Sequence, residues 1–124
     1  MVVNVLLVFL GGGLGSVLRF AVGMQFTGKW GVFPLGTLVA NAISCLIYAG
    51  ILRWLPVKDA SDLAWRLFFL TGFCGGLSTF STFTAETFDL VQRGMHLAAL
   101  SNIFCSLLVC ISIFYISLIL LKVP

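Results

Sequence analysis

Apolar positions come in four long runs along the chain, and most polar residues fall between them. A helix that crosses a bilayer needs about 20 mostly apolar residues. Four segments meet that length, at about 3–26, 33–54, 65–92 and 96–121. The connections are short: TGKWGVF, PVKDASD and a turn near RGMH. The runs lack the period-two alternation of membrane strands, which argues against a closed barrel. The pattern predicts an all-α integral membrane protein whose 124 residues form one four-helix unit.

Composition strengthens that reading. Hydrophobic residues make up 60% and charged residues 9%, whereas a soluble domain carries about a quarter charged residues. The net charge of +3 is small and scattered, so lipid rather than nucleic acid is the expected surrounding. The start MVVNVLLVFLGG has no basic region and no small-residue cleavage site, so a removed signal peptide is not expected. Cys45, Cys74, Cys105 and Cys110 all lie in apolar runs without CxxC spacing. They read as small apolar fillers rather than metal ligands or disulfide partners.

Four spans put both termini on one side. That side carries Arg53, Lys58, Arg66 and Lys122, and the other carries Lys29 and Arg93. The positive-inside bias is therefore weak, which fits insertion both ways round and also an ordinary single orientation. Four helices enclose a pathway poorly, so a homodimer is expected. If its copies face opposite ways, any residue near the twofold axis meets itself.

Two places interrupt the apolar pattern. GGGLGSVLR in the first span brings small residues, Gly11, Gly12, Gly15 and Ser16, which let backbones approach closely. The stretch GFCGGLSTFSTF, residues 72–83, is the more unusual one. Gly72, Gly75 and Gly76 each weaken a helix interior by roughly 1 kcal/mol. Unpaired backbone at membrane depth is tolerated only where it is buried in protein or lines a cavity. Half-helix ends created by such a break can coordinate ions. A third span broken near mid-membrane is therefore expected, with tight glycine packing as the plainer alternative.

Phe80 and Phe83 recur at spacing three and project in similar directions, flanked by Ser78, Thr79, Ser81 and Thr82. A phenyl ring is positive at its edge. Ring edges and hydroxyl donors together offer an anion weak contacts, and conduction needs binding that permits exit. Plain packing is the other reading. Asn41, in LVANAIS, has an amide that either donates to an anion at a pore mouth or bonds another helix. Arg19 lies inside the first span, where a charge is costly. It either snorkels outward or gives a mouth positive potential. Glu86, six residues beyond Phe80, is an acid within the third span and belongs near a vestibule. Asn102, Ser106 and Cys110 fall at i, i+4, i+8 on one face of the fourth span, as part of a track or as interhelical glue.

GGGLGSVLRF, PLGTLVANAIS and GFCGGLSTFSTF, in that order in a four-span chain, resemble the Fluc (CrcB) fluoride channels over essentially the whole length. The resemblance implies a passive, fluoride-selective channel of the bacterial inner membrane that exports fluoride from the cytoplasm. It implies an antiparallel, dual-topology homodimer with two pores. A sodium ion sits at the dimer centre on backbone carbonyls, which here would be those of Gly75 and Ser78. Phe80 and Phe83 match the pore phenylalanines, Asn41 the pore asparagine and Arg19 the first-span arginine. Ser81, Thr82 and Thr79 match the hydroxyl lining. The family's fourth span carries a hydroxyl track, to which Ser106 belongs here, flanked by Asn102 and Cys110.

Two other classes compete. A small multidrug-type proton-coupled exporter needs a membrane-embedded acid in its first span, and this first span carries only Arg19. A non-transporting assembly subunit has no need of a hydroxyl-rich break. Enzymatic activity is not expected, since no nucleophile–base pair and no metal cluster stand out in the spans.

Overall fold

A computed structural model describes residues 1–28 and 31–120. Lys29, Lys122 and Leu121, used above for orientation and for the end of the fourth span, lie outside the described residues. The chain forms helices α1 (Val2–Phe26), α2 (Leu35–Trp54), α3 (Ala60–Arg66), a π-helical segment (Leu67–Cys74), α4 (Gly75–Leu77), α5 (Phe80–Gln92) and α6 (His96–Leu120). No strand forms among the described residues. Four helical stretches are long and apolar enough to cross a membrane, the third running Ala60–Gln92.

That third span starts earlier than the apolar run because Asp59 caps it. Its Oδ1 accepts from the Ser61 N–H at 2.8 Å and the Asp62 N–H at 2.9 Å, satisfying first-turn donors that a helix leaves orphaned. Pro34 stands at the N-cap of α2, where its missing N–H costs nothing. Arg66 closes the other end of α2, donating from Nε to the Leu55 carbonyl at 2.7 Å. Between α5 and α6 the chain turns at Gly94, whose φ of +75° suits glycine. The Gly94 N–H bonds the Val91 carbonyl and the Met95 N–H bonds the Leu90 carbonyl, each at 2.9 Å. This Schellman pairing lets α6 return directly along α5.

The first and third spans meet backbone to backbone. Gly11 and Gly15 on α1 are buried, and a methyl on either would run into the carbonyls of Phe68 or Phe73. A Cβ on Gly72 would stand 3.0 Å from the Gly11 Cα, and one on Gly76 would collide with the Gly12 carbonyl. Such a seam is how helices associate where lipid supplies no hydrophobic drive. The π-helical turns lie directly before α4, and wide turns of this kind concentrate at functional sites. Outside the bundle, Val5, Phe9, Leu14, Val17, Leu108 and Ile111 are exposed, as an apolar surface facing lipid or another copy would be.

Candidate functional site

The third span breaks at Ser78 and Thr79, which are both extended between α4 and α5. A break frees the carbonyls ending one half and the N–H groups starting the other. The sequence places partners for several of them. Asn41 Oδ1 accepts from the Thr79 N–H at 2.8 Å, and Asn41 Nδ2 donates to the Thr79 carbonyl at 3.4 Å. Arg19 Nη1 donates to the Ser78 carbonyl at 3.0 Å. The Cys74 carbonyl accepts from Ser44 Oγ at 3.0 Å, Ser78 Oγ at 2.8 Å and the Ser78 N–H at 2.9 Å. Thr79 Oγ1 caps α5 by accepting from the Thr82 N–H at 3.2 Å.

This geometry bears on the two readings weighed for Asn41 and for Arg19. Arg19 does not reach outward but points its guanidinium at the break. Asn41 clamps the Thr79 backbone across α2 and the third span, and its side chain also lines the cavity beside the break.

Three cavities surround this point. The central one, about 240 Å³, is lined by Asn41, Thr79, Phe80, Phe83, Ser106 and Cys110 among others. A second, about 390 Å³, holds Arg19, Thr37, Thr82 and Glu86. Thr79 lines both, so it stands between them. A third, about 340 Å³, is lined by Ser44, Cys45, Tyr48, Ser78 and Phe114, and shares Cys45 and Ser78 with the central one. The three form a series from the α1–α2 loop side toward the side of the termini.

The rings of Phe80 and Phe83 lie 5.8 Å apart between centroids at 40°. Phe83 is partly covered, but Phe80 is 80% exposed. Ser81 and Thr82 are exposed too. Ser81 Oγ sits 3.3 Å from Thr79 Oγ1, and Thr82 faces the Arg19 cavity rather than the phenylalanines. Thr79 Oγ1 also donates to Thr82 Oγ1 at 3.0 Å, so the hydroxyls grouped in the sequence stay joined at the start of α5.

Glu86 Oε1 accepts from Thr37 Oγ1 at 2.8 Å, whereas its Oε2 is buried without a hydrogen-bond partner among the described residues. Arg19 and Glu86 line one cavity, which sets a guanidinium and a carboxyl group in the same vestibule.

Thr87 is a residue the sequence did not single out. Asn102, 1% exposed, donates from Nδ2 to Thr87 Oγ1 at 2.8 Å, and Thr87 Oγ1 donates to the Phe83 carbonyl at 2.7 Å. Ser106 Oγ donates to Asn102 Oδ1 at 3.4 Å. This chain ties α6 to α5 at the turn carrying Phe83. Asn102 serves as glue here, while Ser106 and Cys110 line the central cavity. The spacing of Thr87, four residues beyond Phe83, was the available signal.

Residues 6–118 match the family described as CrcB-like protein, Camphor Resistance (CrcB). The chain is 46% identical over 103 residues to a fluoride-specific ion channel FluC of Escherichia coli O139:H28, covering 83% of this chain and 81% of that protein. A protein of the same name from Shigella boydii serotype 18 gives the same figures. One from Klebsiella pneumoniae strain 342 is 45% identical over 101 residues, covering 82% of this chain and 80% of its own.

Proposed function

The chain belongs to the CrcB family, and from that premise we propose that it conducts fluoride along the three cavities strung across the break in its third span. It is a channel and not an enzyme. The carrying observation is the series itself, with Thr79 joining the vestibule to the central cavity and Cys45 and Ser78 joining that cavity to the next.

The chemistry of each station suits a small anion. Arg19 sets a positive charge at the vestibule, drawing anions toward the break. The Phe80 and Phe83 edges and the Ser106 hydroxyl then offer weak contacts that do not trap the ion. Asn41 Nδ2 carries a second proton beyond the one aimed at Thr79, and can present it to the cavity.

The path is completed by a second copy in an antiparallel, dual-topology homodimer with two pores. Phe80 at 80% exposure is a wall without a far side, and this supports a partner there. In a bacterial inner membrane such a pair exports fluoride passively. The dimer centre also suits a sodium ion on the carbonyls of Gly75 and Ser78. The donor set is oxygen only, as a hard cation prefers. The i+4 N–H that the Gly75 carbonyl needs, that of Thr79, is committed to Asn41. Gly75 is exposed, and a Cβ there would meet nothing closer than the Leu70 carbonyl at 4.0 Å. The Ser78 carbonyl already takes Arg19, leaving one lone pair for a cation. Two carbonyls are few for a hard ion, so the second copy would supply the remainder. A bound sodium would place a fixed positive charge in a low-dielectric core.

Vesicles loaded with fluoride test the function. Purified protein should release fluoride down its gradient while retaining chloride, without a proton gradient. Vesicles that hold fluoride, or that instead take up organic cations when acidified inside, would refute the channel and favour the exporter.

A further inference from the structure

Two thiols stand in the wall of the central cavity, and the reading above assigns neither any chemistry. Cys45 lies on α2, one turn beyond Asn41, and Cys110 lies on α6, one turn beyond Ser106. Both line the cavity that holds Phe80 and Phe83, and Cys45 also reaches the cavity of Tyr48 and Phe114. They stand on two helices that pack against each other along this wall. Both are free thiols and both are partly exposed, whereas Cys74 is buried and Cys105 lines none of these cavities.

We infer that Cys45 and Cys110 form a two-thiol seat for a soft d10 metal ion such as Hg²⁺, Ag⁺ or Cu⁺, and that an ion held there closes the path. Thiolate is a soft ligand that selects soft ions. Linear two-coordinate ions need only two sulfurs. No cluster of three or more His, Cys, Asp or Glu able to hold a metal occurs among the described residues, which disfavours four-coordinate zinc. Binding breaks two S–H bonds, releases two protons to water and forms two S–metal bonds, with no change of oxidation state. With Hg²⁺ the product is neutral, so a low-dielectric wall takes it without the cost of a buried charge. Fluoride is a hard anion and does not compete for a soft ion. The closure half of the inference rests on the fluoride-path reading; the binding half does not.

Mercuric ion is the probe. Protein loaded with Hg²⁺ and desalted in excess glutathione, a monothiol, should keep one ion per chain. Cys45→Ser and Cys110→Ser should each keep none, and Cys105→Ser should keep one. In vesicles, Hg²⁺ should slow fluoride release by at least about tenfold, a barrier change of about 1.4 kcal/mol, and a dithiol chelator should restore it. Retention by either single serine variant would overturn the paired seat, as would no retention by the wild type. Either result leaves the fluoride reading intact. Retention of one ion with unchanged release would overturn the closure and count against the central cavity as the path. The retention assay needs no conduction, so a variant that folds but does not conduct still decides the matter.

Discussion

The third span has two faces of opposite character. Toward α1 it presents Gly72 and Gly76 to Gly11, Gly12 and Gly15, and a methyl on Gly11, Gly15, Gly72 or Gly76 would have no room. Beyond the seam it presents Ser78 through Phe83, with a cavity of about 240 Å³ toward α2 and α6 and one of about 390 Å³ toward α2 and the far end of α1. The first face is fixed by shape and the second by polar bonds from Asn41, Arg19 and Ser44. Close packing tolerates little change in volume, whereas a bonded, hollow region tolerates volume but not the loss of a partner. The seam therefore anchors the span, and the break a few residues on can stay open without unravelling it.

Substitutions on the two faces should separate along that line. The largest effect is expected at the seam. Gly15→Leu would force its Cβ into the Phe73 carbonyl, whereas at Gly13 a Cβ would meet nothing within 4 Å. Gly15→Leu should cost about 3 kcal/mol or more and prevent recovery of a monodisperse species in detergent, while Gly13→Leu behaves as wild type. Equal recovery of the two variants would show that the seam does not hold the spans together.

Asn41→Leu comes next. It removes both bonds to the Thr79 backbone and strands a buried N–H, at a cost of about 1–3 kcal/mol. The protein should still fold, with a lower thermal midpoint and a fluoride efflux reduced by more than the stability loss explains. A variant that melts lower but conducts normally would make Asn41 a clamp alone. Thr87→Val should do less. It breaks the link from Asn102 to the Phe83 carbonyl for about 1 kcal/mol, and its efflux should fall only a few-fold. Asp89→Asn should do least. The Asp89–Arg93 pair at 2.8 Å is exposed, and such pairs contribute about 0.5 kcal/mol or less. Its melting and efflux should match wild type.

Much of this was legible in the residues. The four apolar runs gave the spans, because length and hydropathy alone decide what crosses a bilayer. GFCGGLSTFSTF located the break, since glycine and hydroxyl residues both disfavour continuous helix. The earlier start of the third span was readable in Asp59, a good N-cap residue. What could not be read were the pairings between helices. That Arg19 turns to the Ser78 carbonyl, that Asn102 finds Thr87, and that Cys45 and Cys110 line one cavity all depend on how spans distant in sequence are set side by side. Local periodicity places a residue on a face, but not the partner opposite. The placing of Thr82 is of the same kind. It lines the vestibule and bonds Thr79 Oγ1, which the STFSTF pattern alone does not show.

The central claim is that the rings beside the break form the wall of a fluoride path. Fluoride efflux from vesicles carrying Phe80→Ile or Phe83→Ile, compared with wild type at equal protein density and with unchanged elution and helical content, tests it most directly. Efflux should drop by about tenfold or more in each variant, equivalent to a barrier raised by about 1.4 kcal/mol. Wild-type efflux from both would contradict the account.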